Sequence, residues 1–223
     1  QAGFVRFVAL LGALCSFVVT LPLYINFEVA SAAMQFVEKA PWIGRFNIYY
    51  HLGVDGISMW FILLTSFITV IVVLAGWEVI TERVNQYMGA FLILSGLMIG
   101  VFSALDGMLF YVFFEATLIP MYLIIGVWGG PNKIYAAFKF FLYTLLGSLL
   151  MLVAFVLLAA AYVPRNAFKA RLHHPMVLSV KVWALAHLLA NNTLADALLF
   201  GGFLVWAVLW FRAARGRDRA GQV

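Results

Sequence analysis

The chain has 223 residues, of which 65% are hydrophobic and only 10% charged, far more apolar surface than one soluble core can hide. That balance excludes a water-soluble domain and a disordered regulator and indicates an integral membrane protein. Cys15 is the only cysteine, so a disulfide-stapled secreted domain is excluded as well, and it reads as a small apolar residue on a helix. The formal charge of +5 is unevenly spread: residues 1–155 carry six Lys/Arg against seven Asp/Glu, and residues 156–223 carry eight against two.

A bilayer core takes roughly 20 apolar residues of helix. In chain order such segments fall at about 4–25, 57–77, 88–105, 109–127 and 136–162, with a shorter sixth at 176–190 that contains Lys181 and His187, and a seventh at 194–211 ahead of the basic tail RAARGRDRAGQV. These runs are continuously apolar, without the alternation of a transmembrane strand. The expected fold is therefore all-α, a polytopic transmembrane bundle of about seven helices. The opening QAGFVRFVALLGALC lacks an initiator Met and a charged start before its apolar run, so it reads as a fragment whose beginning lies upstream, without a cleavable leader. The one long connection, 26–56, contains RFNIYYHLGVDGIS; its β-prone residues and the Asp55-Gly56 turn signal predict a short surface hairpin.

With seven spans, Arg6, Arg83, Lys133 and Lys139 share one side, which the positive-inside rule makes cytoplasmic and the long loop external. Arg165, Lys169, Arg171 and the tail arginines fall on the opposite side. One protein should not disagree with itself in this way unless a span is miscounted or two pieces have been joined. The tail arginines read as an anchor on anionic lipid rather than a nucleic-acid contact.

Ionisable groups inside membrane spans are costly and therefore suggest function. Glu115 lies near the middle of its helix, in DGMLFYVFFEATLIPMYLIIGVWGG, with Pro120 five residues on. Proline supplies no N–H to the carbonyl of Ala116, so the backbone beside Glu115 can kink and accept a hydrogen bond from water. A carboxyl in apolar surroundings holds a proton that it releases when a nearby cation moves: the chemistry of a proton relay, to be set against a protonated glutamate that only ties helices together. Lys139 is either an intramembrane partner or a lysine that snorkels to the interface. Asp55 and Asp106 stand at span boundaries and read as helix caps; Glu78, Glu82 and Arg83 read as a solvated connection. His51 is assigned no role.

Three of the four histidines fall in KARLHHPMVLSVKVWALAHLLANN. Without cysteine or carboxylate nearby they suit haem iron or a proton step better than structural zinc, and no metal site is expected. His174 and His187 are 13 residues apart, about 20 Å on a straight helix, too far to be two axial ligands of one iron. His173 and His174 also suit a headgroup position, and His187, with Trp183 and Asn191 a turn away, a hydrogen bond between packed helices.

Residues 1–152 resemble the antiporter-type subunit M of proton-pumping NADH:quinone oxidoreductase (complex I), through HLGVDGISMWFILLTSFI, GVFSALDGMLFYVFFEATLIPMYLIIGVWGG and AAFKFFLYTLLGSLLMLVA. The resemblance implies a membrane-arm proton channel in the bacterial cytoplasmic membrane, with no flavin, iron–sulfur cluster or nicotinamide site of its own. It works among other membrane-arm subunits and the lipid bilayer, with no soluble substrate or nucleic acid. The family's mid-membrane glutamate falls on Glu115 and a lysine of the next helix on Lys139. The family's later helices have no counterpart here, so no complete catalytic site is expected. Residues 153–223 instead resemble the C-terminal part of NnrU, a membrane family associated with denitrification, through RLHHP and WALAHLLAN. That resemblance places family-type histidines on His174 and His187 and implies a haem association. The chain thus reads as a truncated subunit M segment joined to a truncated NnrU segment, a chimera whose rival readings are an NnrU-like haem protein and a non-functional membrane chain.

Overall fold

The computed structural model describes residues 2–191 and 193–219. They form eight helices and a two-stranded antiparallel hairpin: α1 Ala2–Ile25, β1 Gln35–Ile43, β2 Ile48–Val54, α2 Ser58–Val79, α3 Val84–Ser103, α4 Gly107–Trp128, α5 Lys133–Tyr162, α6 Ala167–Leu172, α7 Pro175–Ala190 and α8 Leu194–Arg219. Six of them, α1 to α5 and α8, are long and apolar enough to cross a membrane. The helix at the shorter sixth position, α7, has 16 residues, about 24 Å at 1.5 Å per residue against a core of about 30 Å. The chain divides into two compact units, residues 1–137 and 138–223; the division falls within α5, as does the expected 152/153 join.

In the first unit, α1 to α4 pack through small residues. Ala9 and Ala13 of α1 lie against Val70 and Val73 of α2 and Val84 and Met88 of α3. Lipid is as apolar as Leu, so close van der Waals contact and hydrogen bonds hold such helices together. Thr20 of α1 and Ser66 of α2 supply one such bond, Oγ1 to Oγ at 2.9 Å. Gly100 of α3 lets α4 approach closely, since a Cβ there would meet the Phe113 ring at 2.6 Å. Many large apolar side chains, Phe4, Val19, Leu64 and Ile71 among them, point outward, as membrane-facing surfaces require.

The hairpin lies where the long loop predicts it, but its turn does not. The strands are joined by a 3-10 turn at Gly44–Phe46, closed by Asn47 in the left-handed region at φ 55°. Asp55-Gly56 starts α2 instead. The Asp55 carboxylate accepts from the Ser58 N–H at 2.6 Å and the Ile57 N–H at 3.0 Å, and the Asp55 N–H donates to Ser58 Oγ at 2.9 Å, a reciprocal capping box. The hairpin is latched to the α3–α4 turn. Leu105 N–H donates to the His51 carbonyl at 2.8 Å, and Tyr49 N–H donates to the Asp106 carboxylate at 3.0 Å.

In the second unit, α7 and α8 pack together through an aromatic cluster of Trp183, His187, Phe200 and Phe203, and Ala184, Ala186, Ala207 and Ala214 of the two helices are buried. Pro175 occupies the first turn of α7, where its missing N–H costs nothing. The basic tail extends α8 as far as Arg219 rather than leaving it as a loose segment; arginine is a good helix former and no proline interrupts the run.

Candidate functional site

Glu115 sits on α4, nine residues after the N-cap Asp106 and therefore about 14 Å along the helix. Asp106 fixes that start: its carboxylate accepts from Met108 N–H at 2.9 Å and Leu109 N–H at 3.2 Å as well as from Tyr49. The Tyr49 N–H, chiefly, then those of Leu109 and Met108 hold the Asp106 carboxyl below the usual carboxylate range, against an opposing push from burial. Ser58 does the same for Asp55. Both boundary aspartates are thus structural latches, which leaves Glu115 as the acid within the span.

Glu115 is half-buried, and its Oε1 is one of three buried side-chain polar atoms among the described residues with no hydrogen-bond partner, beside Arg6 Nε and Ser95 Oγ. An unsatisfied buried oxygen costs about 1–3 kcal/mol, and native proteins tolerate few. Pro120, buried on the same helix, removes the N–H that would have bonded the Ala116 carbonyl. The local picture is a carboxyl oxygen with spare acceptor capacity, one residue from a backbone carbonyl freed by proline. Water or a proton donor would satisfy both.

Lys139 belongs to the second unit, on α5, where it is exposed. Its Nζ lies 5.9 Å from the centre of the Tyr143 ring, and it lines a cavity of about 330 Å3 with Thr144 and with Leu188 and Asn191 at the end of α7.

His174 and His187 lie at opposite ends of α7. His174 Nε2 is 2.9 Å from Asp218 Oδ2 of α8, and its ring meets Phe211 edge-on. Lys181 lies over that same Phe211, 3.8 Å from the ring centre. Asp218 and Phe211 were not foreseeable as partners, because a 44-residue separation leaves no local pattern. His187 stacks on Phe200 of α8 with ring centres 4.5 Å apart, and its Nδ1 is 2.9 Å from the Trp183 carbonyl, a hydrogen bond within α7 rather than the one between packed helices that its spacing suggested. As haem donors the two differ. An iron at His174 Nε2 would have to displace the Asp218 carboxylate, so His174 does not fit. At His187 the carbonyl holds the proton on Nδ1, and Nε2 keeps its lone pair, the arrangement a metal-bound histidine uses. No three His, Cys, Asp or Glu among the described residues are placed to hold a metal ion together.

Comparison with known proteins finds two families. The family model described as "NnrU protein" matches residues 110–223, and "NADH-ubiquinone oxidoreductase chain 4, amino terminus" matches residues 4–103. The chain belongs to the NnrU family and, in its N-terminal part, resembles complex I subunit M. NADH-quinone oxidoreductase subunit M of Rhodobacter capsulatus is 57% identical over 151 residues, 68% of this chain and 29% of that protein. NADH-ubiquinone oxidoreductase chain 4 of Arabidopsis thaliana is 50% identical over 155 residues, 69% of this chain and 31% of that one. The chain also has a solved counterpart: a chain of respiratory complex I from Thermus thermophilus with bound NADH is similar, with TM-score 0.63 and 28% identity over 80% of this chain and 38% of that one. This chain spans about a third of the length of the curated relatives it matches. The NnrU match begins at residue 110, well before 153, so it overlaps the subunit M-like region and takes in Glu115. The chain is a multi-pass membrane protein whose fold, over most of its length, is similar to part of a chain of respiratory complex I.

Proposed function

We propose that the N-terminal part is a segment of the membrane arm of a bacterial proton-translocating NADH:quinone oxidoreductase, in which Glu115 takes up and releases a proton and Lys139 modulates it. The observation that carries this reading is the partnerless Glu115 Oε1, buried beside the Pro120 break. In this role the chain sits in the cytoplasmic membrane beside other membrane-arm subunits, carries no redox group in this part, and contains only part of a proton path. A join near residues 152 and 153 is supported by the charge shift that follows it. The test is infrared titration of the full chain in lipid nanodiscs. A protonated carboxyl gives a C=O band that shifts in D2O; the band is expected to change with pH in the wild type and to be missing in Glu115→Gln, while Lys139→Gln moves its midpoint. A band unchanged in Glu115→Gln would rule Glu115 out, and an unmoved midpoint would remove Lys139.

A second reading is favoured by the His187 geometry and by membership of NnrU: the C-terminal part holds haem through His187 Nε2, with a second ligand from outside α7. Bound there, haem would supply a redox-active or ligand-binding iron; the chain's own part is to orient the imidazole through the Trp183 carbonyl. Protein made with haem supplied should then show a haem absorption band that His187→Ala removes and His174→Ala keeps. Colourless protein would sink this reading.

A further inference from the structure

The first unit has a groove between α3 and α4 of about 560 Å3, within the roughly 300–1,000 Å3 of small-molecule sites. We propose that it binds one anionic phospholipid, its phosphate at Arg83 and one acyl chain running along the groove toward Pro120.

The shape fits a single acyl chain. Along α3 the lining runs from Arg83, just before the helix, to Ile93, and on α4 from Trp128 back to Ile119, about 15 Å at 1.5 Å per residue. That is half of a bilayer core of about 30 Å, the depth of one leaflet. Beyond its mouth the groove is apolar, and Ile93 and Ile119 are each about three-fifths exposed.

The charge at the mouth selects the headgroup. Three cations, Arg6, Arg83 and Lys133, occur at this end of the first unit, and two are engaged. Arg6 Nη2 donates to the Ile80 carbonyl at 2.9 Å, and Lys133 Nζ donates to the Val127 carbonyl at 2.6 Å. Arg83 makes no ion pair with Glu78 or Glu82 and lines the groove with the amide of Gln86. A guanidinium matches phosphate geometry with paired N–H donors. Trp128 closes the mouth at interface height, its indole N–H on the Glu82 carbonyl at 2.9 Å, the amphipathic position tryptophan prefers at a membrane surface.

The test uses the purified full chain, stripped of lipid and then titrated with phosphatidylglycerol or phosphatidylcholine carrying the same acyl chains, with bound lipid read by native mass spectrometry. One phosphatidylglycerol is expected to bind, and Arg83→Gln to weaken it about tenfold, the loss of a charge-assisted hydrogen bond, while phosphatidylcholine, whose phosphate is offset by its own choline cation, binds more weakly and loses less. Gly89 lines the groove and has nothing within 4 Å of where its Cβ would stand. Gly89→Leu should therefore fold, fill the groove and abolish binding of both lipids. Equal phosphatidylglycerol binding in wild type and Arg83→Gln would overturn the proposal. So would a dimer of the chain that Gly89→Leu dissociates, since the groove would then belong to a second copy.

Discussion

Asp106→Ala is expected to release the hairpin from the helices and to cost the first unit about 2–4 kcal/mol. The carboxylate serves two structures at once. It caps α4 through Met108 and Leu109, and it accepts the Tyr49 N–H across 57 residues of sequence. Losing a cap costs about 0.5–2 kcal/mol, and leaving the Tyr49 N–H without its charged acceptor adds about 1–3 kcal/mol. Asp106→Asn keeps a good capping residue but not the charge, so its effect should be intermediate. The same latch responds to acid. Asp106 and Asp55 titrate below the unfolded carboxylate range in the folded chain. Their stabilisation is therefore present above about pH 4, the unfolded value, and is lost as pH falls through their lowered folded values. Hydrogen exchange at the amides of Tyr49 and Leu105 reads both effects. Protection should fall in Asp106→Ala at neutral pH and in the wild type only in acid; unchanged protection in Asp106→Ala would contradict the latch.

The spans were legible because a bilayer demands long apolar runs that nothing else in a protein needs. α2, α4 and α7 begin within two residues of their expected starts, where Ser58, Asp106 and Pro175 mark the boundaries chemically. The hairpin was legible as a strand-prone stretch, but its turn was misplaced. Asp55-Gly56 carries a turn signal and also a capping signal for the apolar run after it, and the capping role wins because a helix start has free N–H groups to satisfy. The true turn rests on Asn47, which tolerates the left-handed region, in a stretch with weaker punctuation. Glu115 stood out as an acid in mid-span. That its Oε1 is buried without a partner depends on how α4 packs, which periodicity does not specify. His187 was legible as a packing residue from Trp183 one turn away, whereas the hydrogen bond of His174 with Asp218 is made only when α7 and α8 come together.

The central claim, that the N-terminal part is a working membrane-arm segment with Glu115 as its proton carboxyl, is tested most directly by a graft. The segment of Rhodobacter capsulatus subunit M matched by this chain, 57% identical, is replaced by this chain's own residues, and NADH-driven proton uptake is measured in membrane vesicles. The graft is expected to sustain uptake, and Glu115→Gln within it to lower uptake about 100-fold or more, as removal of a positioned acid–base group does, with the assembled complex still present in the membrane. A graft that assembles and moves protons equally well with Glu115→Gln would contradict it.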